Sequence, residues 1–220
     1  MNLDYSSILP FLPAFIKGAW MTVQLSAISL IFGLLLGIAG GLCKTSNSPF
    51  LKNAAFFYTW IFRGTPLLVQ LFILYFGLPQ LGIQMEPFVA GILGLALNTG
   101  AYATELVRSG IQAVDKGQME AALSLGMNKR TAMIRIIGPQ ATKIIIPPLV
   151  NQFIMTIKNS SMVSLLTITE LFRTGETVIT TTFRIFEVYT LIAVIYLLIN
   201  TILMYMANRL EKGLNVHDQA

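Results

Sequence analysis

The chain contains 220 residues, of which 55% are hydrophobic and only 11% are charged, and its mean hydropathy is +0.69. Soluble domains usually carry about 25% charged residues, so this composition argues against a water-soluble globule and indicates an all-α integral membrane protein. The net charge of +5 is typical of basic loops beside a membrane, and we expect no nucleic-acid partner. The single cysteine, Cys43, and the single histidine, His217, make a disulfide framework, a metal site or a histidine-based catalytic centre unexpected.

Five apolar runs, each long enough for a membrane crossing of about 20 residues, predict five transmembrane helices. The runs are 18–43, 53–78, 87–107, 144–166 and 187–208. Ten of the 15 lysines and arginines lie in three segments, which are 44–52, 108–143 and 209–212. Because cytoplasmic loops are enriched in basic residues, we expect the N-terminus outside, the C-terminus inside and the segment 108–143 in the cytoplasm.

A glycine repeat in the first span and the loop 167–184 both have structural interpretations. Gly33, Gly37 and Gly41 recur every fourth residue on one face of the first span, where small residues allow close helix packing. This face packs either within the chain or against another subunit. The loop 167–184 alternates charged and apolar residues, and it is typical of an amphipathic helix at the outer surface.

The second span carries a polar interruption near its middle. The residues concerned are Arg63, Gly64, Thr65, Pro66 and, one turn later, Gln70. Proline lacks a backbone N–H and crowds the preceding turn, so it predicts a break whose freed carbonyls need other partners. Broken helices with polar residues at membrane depth are typical of substrate sites in transport proteins.

The fourth span repeats this pattern. Pro147 and Pro148 predict an interruption near its start. A polar patch follows, formed by Lys158, Asn159, Ser160 and Ser161. Two interrupted helices of this kind predict a hydrated cavity between them.

The two cations within the spans, Arg63 and Lys158, have two interpretations. They either bond to carbonyls exposed at the breaks or attract a carboxylate in the cavity. Leaving such a charge unpaired at the bilayer centre costs at least about 2.5 kcal/mol, so an accidental position is unexpected. On the third span, Asn98 adds a polar group, and Glu105 is expected to pair with Arg108 at a spacing of i, i+3.

The cytoplasmic segment 115–141 predicts a short helix over 119–125, a stop at Gly126 and a second helix from Lys129. Ala121 and Ala122 keep one side of the first helix small enough to enter a groove of a partner, whereas an amphipathic helix on the lipid surface is the alternative. The chain has no G-x-x-x-x-G-K-[ST] motif, so it does not supply its own phosphate-binding loop. Uphill transport therefore requires either an ion gradient or a separate ATPase.

The same segment resembles the coupling motif of ATP-binding-cassette (ABC) importer permeases, E-A-A-x3-G-x9-I-x-L-P. The matching residues are Glu120, Ala121, Ala122, Gly126, Ile136 and Pro139, while Gly138 replaces the usual leucine. The stretches FRGTPLLVQL, LNTGAYATELVRSGI and IKNSSMVSLL resemble the polar amino-acid branch of these permeases in the same order. The resemblance extends over 17–210.

This resemblance implies a type I ABC importer permease fold, with 1–220 as one transmembrane permease domain in the bacterial cytoplasmic (inner) membrane. It implies a second permease copy or a related permease, two ABC ATPase subunits and an extracytoplasmic substrate-binding protein. The ATPases would bind ATP and Mg and grip the coupling residues Glu120, Ala121, Ala122, Leu125 and Gly126. The chain itself is then expected to hold no cofactor and not to be an enzyme.

The resemblance also implies a polar amino acid as substrate, bound between the second, third and fourth spans. The expected binding residues are Arg63, Gly64, Thr65, Pro66, Gln70, Asn98, Lys158, Asn159, Ser160 and Ser161. Many relatives have aspartate where this chain has Asn159, which weakens the case for a strongly cationic substrate. L-cystine is the first expectation, with glutamine or a basic amino acid as the alternative. An ion-coupled secondary carrier or a small oligomeric channel are the other classes of protein to be tested.

Overall fold

The computed structural model describes the backbone of residues 3–215 and the side chains of residues 3–209, so His217 lies outside the described residues. The described backbone is helical and contains no strand. Its α-helices are α1 (Leu12–Thr45), α2 (Pro49–Gly64), α3 (Leu67–Phe72), α4 (Pro87–Ala113), α5 (Lys116–Ser124), α6 (Lys129–Ala132), α7 (Gly138–Asn159), α8 (Leu171–Thr182) and α9 (Ile185–Asn215). A π-helical turn, Ile73–Gly77, and a 3-10 turn, Leu78–Leu81, extend α3; a second π-helical turn, Met133–Ile137, joins α6 to α7; and a 3-10 segment, Ser160–Leu166, follows α7.

The five predicted spans lie on α1, on α2 with α3, on α4, on α7 with its 3-10 segment, and on α9. By length and hydropathy, two helical stretches in the described part of the chain can cross a membrane, Leu9–Thr45 and Ile185–Arg209. The bent pair Pro49–Gly64 and Leu67–Leu81 adds a third if it forms one span. The helix α4 is less apolar than these two stretches. It packs against α1, α2 and α7, and a helix enclosed by other helices need not be apolar on every side. The count of five spans and their orientation therefore remain predictions.

The most extensive helix contact joins α1 to α4 through small residues. Gly33, Gly37 and Gly41 are buried and face α4. A Cβ atom built on Gly37 would overlap the Cβ of Ala103 and lie 3.1 Å from its carbonyl carbon. The glycine face therefore packs within the chain, which was one of the two interpretations of this pattern.

The second predicted span is broken, as its proline indicates. The helix α2 ends at Gly64, Thr65 and Pro66 have extended backbone, and α3 leaves at an angle of 104°. The fourth span differs from the prediction, because Pro147 and Pro148 lie inside the continuous helix α7. The helix α7 packs against α4 and α9, and such neighbours commonly make proline tolerable inside a membrane helix.

The helix α8 confirms the predicted helix between 167 and 184, and it packs on α1 and α9. The residue before it, Glu170, is fully buried and does not lie on a surface as the charge pattern suggested. Its carboxylate caps α8 by accepting hydrogen bonds from the backbone N–H groups of Phe172 (2.9 Å) and Arg173 (2.7 Å). It also accepts from the Thr22 hydroxyl and the Tyr196 hydroxyl, each at 3.2 Å. Burial raises the pKa of Glu170 above its ordinary value, and these hydrogen bonds offset only part of that rise.

Replacing Glu170 with alanine is expected to lower the free energy of unfolding by about 3 kcal/mol, because four donors around a fully buried carboxylate lose their acceptor. Thermal and denaturant unfolding of the purified protein in detergent would measure the loss. The control is Glu176→Ala, which removes a partly exposed ion pair with Arg173 (3.1 Å) and is expected to cost less than about 1 kcal/mol. Equal losses of unfolding free energy in the two variants would show that the hydrogen bonds of Glu170 do not stabilise the fold.

Candidate functional site

The cytoplasmic segment 115–141 forms two short helices with well-defined ends. The helix α5 begins earlier than predicted because the Asp115 side chain accepts a hydrogen bond from the Gly117 N–H (2.7 Å). It ends at Ser124, and Gly126, two residues later, has the positive φ of +82° that stops the helix. The helix α6 begins at Lys129, as predicted, and Asn128 caps it. The helix stop and the start of the second helix in this segment were therefore predictable from the sequence.

The expected coupling residues differ in their accessibility. Glu120, Ala121 and Gly126 are exposed, and Leu125 is 80% exposed. By contrast, Ala122 is buried and faces its own chain. Of the two alanines expected to enter a groove of a partner, only Ala121 is accessible, because Ala122 faces the rest of the segment.

The segment is attached firmly to the membrane helices. Its base is an apolar cluster formed by Val107, Val114, Ile137, Ala141 and Ile145, with Met119 and Met133 packed against it. Residues of α4, α5 and α7 thus share one core. A force applied to the exposed tip is transmitted through this core to α4 and α7, because close-packed interiors deform little.

Two side-chain amides donate hydrogen bonds to the backbone carbonyls at the break between α2 and α3. The Gln70 Nε2 donates to the carbonyl of Phe62 (3.0 Å), and to the carbonyl (3.1 Å) and hydroxyl (2.9 Å) of Thr65. The Asn98 Nδ2 donates to the Phe62 carbonyl (3.1 Å) and to the Gln70 Oε1 (3.2 Å). The structure thus brings together three residues expected at the substrate site, and their hydrogen bonds serve the broken backbone. Arg63, Gly64, Thr65 and Pro66 are exposed at this break.

Replacing Gln70 with leucine is expected to destabilise the break, since the Thr65 carbonyl loses the amide of a buried side chain and the Phe62 carbonyl keeps only the Asn98 donor. We expect the free energy of unfolding to fall by about 2 kcal/mol, measured by thermal unfolding in detergent. The same substitution at the exposed loop residue Gln84 is the matched control and is expected to change stability by less than about 0.5 kcal/mol. A Gln70 variant as stable as the Gln84 variant would show that the amide does not support the break.

The carboxylate of Glu105 on α4 forms ion pairs with three cations. The expected pair with Arg108 is present at 2.7 Å, Arg63 lies at 3.5 Å, and Lys44 also pairs with it. The Arg63 guanidinium also lies 5.3 Å from the centre of the Tyr102 ring. Arg63 was expected to bond to exposed carbonyls or to a substrate; instead it pairs with Glu105 and ties α2 to α4.

Lys158 and Ser161 lie elsewhere, beside a groove of about 330 Å³ between the end of α7, α8 and α9. The remaining lining residues are Phe172, Tyr189, Ile192, Ala193 and Tyr196. Asn159 is partly buried, and Ser160 is buried with its hydroxyl donating to the Ile157 carbonyl (2.8 Å). In residues 3–209, no ion pair involves Lys158, so a cation faces this groove without a carboxylate.

The ten expected substrate residues therefore form two groups. One group holds the break around Thr65, and the other lies at the end of α7 around Lys158. No hydrogen bond joins the groups within the described side chains; apolar packing of the segment Ser160–Leu166 on α3 and α4 connects them. Sequence reasoning also missed the aromatic residues of α8 and α9 in the groove, because they lie in other elements and carry no local motif.

These features define a helical membrane permease component, with a broken membrane helix and a firmly anchored segment that projects between two spans. The chain belongs to the family of binding-protein-dependent transport system inner membrane components, whose model matches residues 29–216. It is 40% identical to the arginine transport system permease protein ArtQ of Bacillus subtilis (strain 168), over 99% of this chain and 100% of that protein. It is 34% identical to the glutamine transport system permease protein GlnP of Escherichia coli (strain K12), over 98% and 100%.

Solved structures agree with this family. A crystal structure of an amino acid ABC transporter with histidines superposes with a TM-score of 0.91 and 41% identity, covering 97% of this chain and 100% of that chain. An inward-facing structure of the MetNI methionine ABC transporter superposes with a TM-score of 0.79 over 94% and 98%, and at 16% identity it supports the fold alone. The chain is thus an inner-membrane ABC importer permease for amino acids with the type I fold. Neither of the two permease relatives is named for cystine, so the first expectation about the substrate gains no support from them.

Proposed function

We propose that this chain is the membrane subunit through which an ABC importer moves glutamine or a basic amino acid into the cell. ATP hydrolysis occurs in two separate ATPase subunits that also bind Mg, a second permease completes the membrane part, and an extracytoplasmic binding protein delivers the substrate. The relatives named for arginine and for glutamine support this substrate class. The proposal retains 1–220 as one domain with five spans, an external N-terminus and 115–141 as its coupling segment.

The observation that carries the proposal is the exposed tip of 115–141 on a packed base. Glu120, Ala121 and Leu125 project from α5, while the core beneath them includes residues of α4 and α7. When nucleotide binding closes the ATPases, the tip moves and the membrane helices move with it. Access to the cavity then alternates between the two sides of the membrane by rigid-body motion.

The test is amino-acid uptake into proteoliposomes that contain the complete complex of permease, ATPases and binding protein. We expect uptake of labelled glutamine or arginine only when ATP is present on the ATPase side and the binding protein on the other. Uptake that runs on an ion gradient without ATP would identify a secondary carrier instead. Single-channel currents in a planar bilayer would identify a channel.

A further inference from the structure

A groove of about 380 Å³ opens between α1, the end of α4 and the start of α7. On α1 it is lined by Ile38 and Leu42, and on the π-helical turn before α7 by Met133 and Ile134. Leu42 lies near the end of the first predicted span, and the π-helical turn belongs to the predicted cytoplasmic segment 108–143. The groove therefore lies where the helices meet the predicted inner surface of the membrane.

The lining of this groove is apolar and open to the surroundings. Thr142 carries the one polar side chain of the lining, and its hydroxyl already donates to the Gly138 carbonyl (2.8 Å) within α7. Ile38 and Ile134, on opposite sides of the groove, are both exposed. The volume lies in the range of about 300 to 1,000 Å³ that is usual for ligand sites, yet the lining offers no free hydrogen-bonding side chain. Such a groove suits a hydrocarbon chain.

The floor of the groove is the core on which the coupling segment rests. Val107, Ala141 and Ile145 belong both to the lining and to the apolar cluster at the base of 115–141. Side chains that border an unfilled void lose their van der Waals contacts on that side. A hydrocarbon chain in the groove restores these contacts, and it packs directly against the core that joins the coupling segment to α4 and α7.

Positive charge lies at the edge of the groove. The stretch 129–143 contains four lysines and arginines and no acidic residue. Of these cations, Lys129, Arg130 and Arg135 are exposed. Arg135 directly follows the lining residue Ile134. Basic pockets between membrane helices on the cytoplasmic side bind the headgroups of anionic lipids, so the charge and the apolar lining together fit one kind of ligand.

We propose that this groove binds an anionic phospholipid of the inner leaflet, with one acyl chain between α1 and α7 and the headgroup phosphate beside Arg135. Lipid tails throughout the bilayer are as apolar as the groove, so the headgroup charge selects the lipid. The site shares no lining residue with the groove beside Lys158. The inference therefore does not depend on which amino acid the importer carries.

The experiment titrates the purified permease–ATPase complex in detergent with phosphatidylglycerol or with phosphatidylcholine of the same chain length, and native mass spectrometry measures the bound lipid. We expect phosphatidylglycerol to bind about tenfold more tightly than phosphatidylcholine. Arg135→Gln is expected to weaken phosphatidylglycerol binding about fivefold, equivalent to about 1 kcal/mol, and to leave phosphatidylcholine binding unchanged. The control is Arg209→Gln, which removes an exposed arginine of α9 and is expected to leave both affinities unchanged.

A second variant tests the place of the acyl chain. Ile38→Trp adds a ring at an exposed lining position, and we expect it to fill the groove and to weaken binding of both lipids about tenfold. Its matched control is Ile31→Trp, at an exposed isoleucine two turns earlier on α1 that does not line the groove. Equal affinities for the two lipids in the unmodified complex would overturn the inference, as would equal binding by the two tryptophan variants. If Ile38→Trp retained lipid binding but separated the two permeases, the groove would be an interface between copies, and the inference would again be overturned.

Discussion

Replacing Leu125 with serine is expected to weaken association of the ATPase subunits by about thirtyfold, because burial of a leucine side chain contributes about 2 kcal/mol. Leu125 is 80% exposed at the end of α5 and is the most exposed large apolar residue of the segment 115–141, ahead of Ile134 at 64%. A large apolar side chain held in this way beside Gly126 suits a groove of a partner. Affinity of the purified permease for the ATPase, together with the ATP hydrolysed per amino acid imported, would measure the effect.

The matched control for this prediction is Leu81→Ser. Leu81 is 77% exposed and lies at the end of the helical segment that follows the break, on the connection to α4 rather than in 115–141. It loses the same apolar side chain, and we expect ATPase binding to stay unchanged. If Leu125→Ser retained full affinity and full coupling, the segment would not be the contact that drives transport.

The second large effect concerns the packing of α1 on α4. Gly37→Ala is expected to lower the free energy of unfolding by about 2 kcal/mol, since the added methyl overlaps the Cβ of Ala103 in a closely packed contact. The helices cannot separate locally without also losing the neighbouring contacts of Gly33 and Gly41. Thermal unfolding in detergent and the amount of protein in the membrane would report the loss.

A double variant makes this prediction specific. Adding Ala103→Gly to Gly37→Ala removes the overlapping methyl group, and we expect it to recover most of the lost stability. Gly64→Ala is the control, because a Cβ at Gly64 meets nothing within 4 Å. Additive losses from Gly37→Ala and Ala103→Gly would show that the two positions are not in direct contact.

Part of the candidate site was predictable from sequence because it depends on local backbone chemistry. Pro66 cannot continue a helix without losing a hydrogen bond, and the chain does break there by 104°. Gly126 can adopt positive φ, and the coupling helix ends two residues before it. The same rule gave a wrong prediction for Pro147 and Pro148, which lie inside a continuous α7 that packs on α4 and α9.

The accessibility of individual side chains was not predictable in this way. Ala121 and Ala122 are adjacent and identical, yet one is exposed and the other is buried. Lys158 and Thr65 were placed in one cavity because both lie on spans predicted to be interrupted, whereas the structure places them in different groups. Helical periodicity indicates which residues share a face, but it does not say what that face contacts.

From the amino-acid sequence alone follow the membrane class, the helix break, the helix stop and the family, since each depends on composition or on residues a few positions apart. Only the tertiary structure decided which polar groups are already engaged. Glu170 meets Thr22 across 148 positions of sequence, and Glu105 meets Lys44 across 61. Such contacts depend on how distant helices pack, and they determine which charges remain available to a substrate.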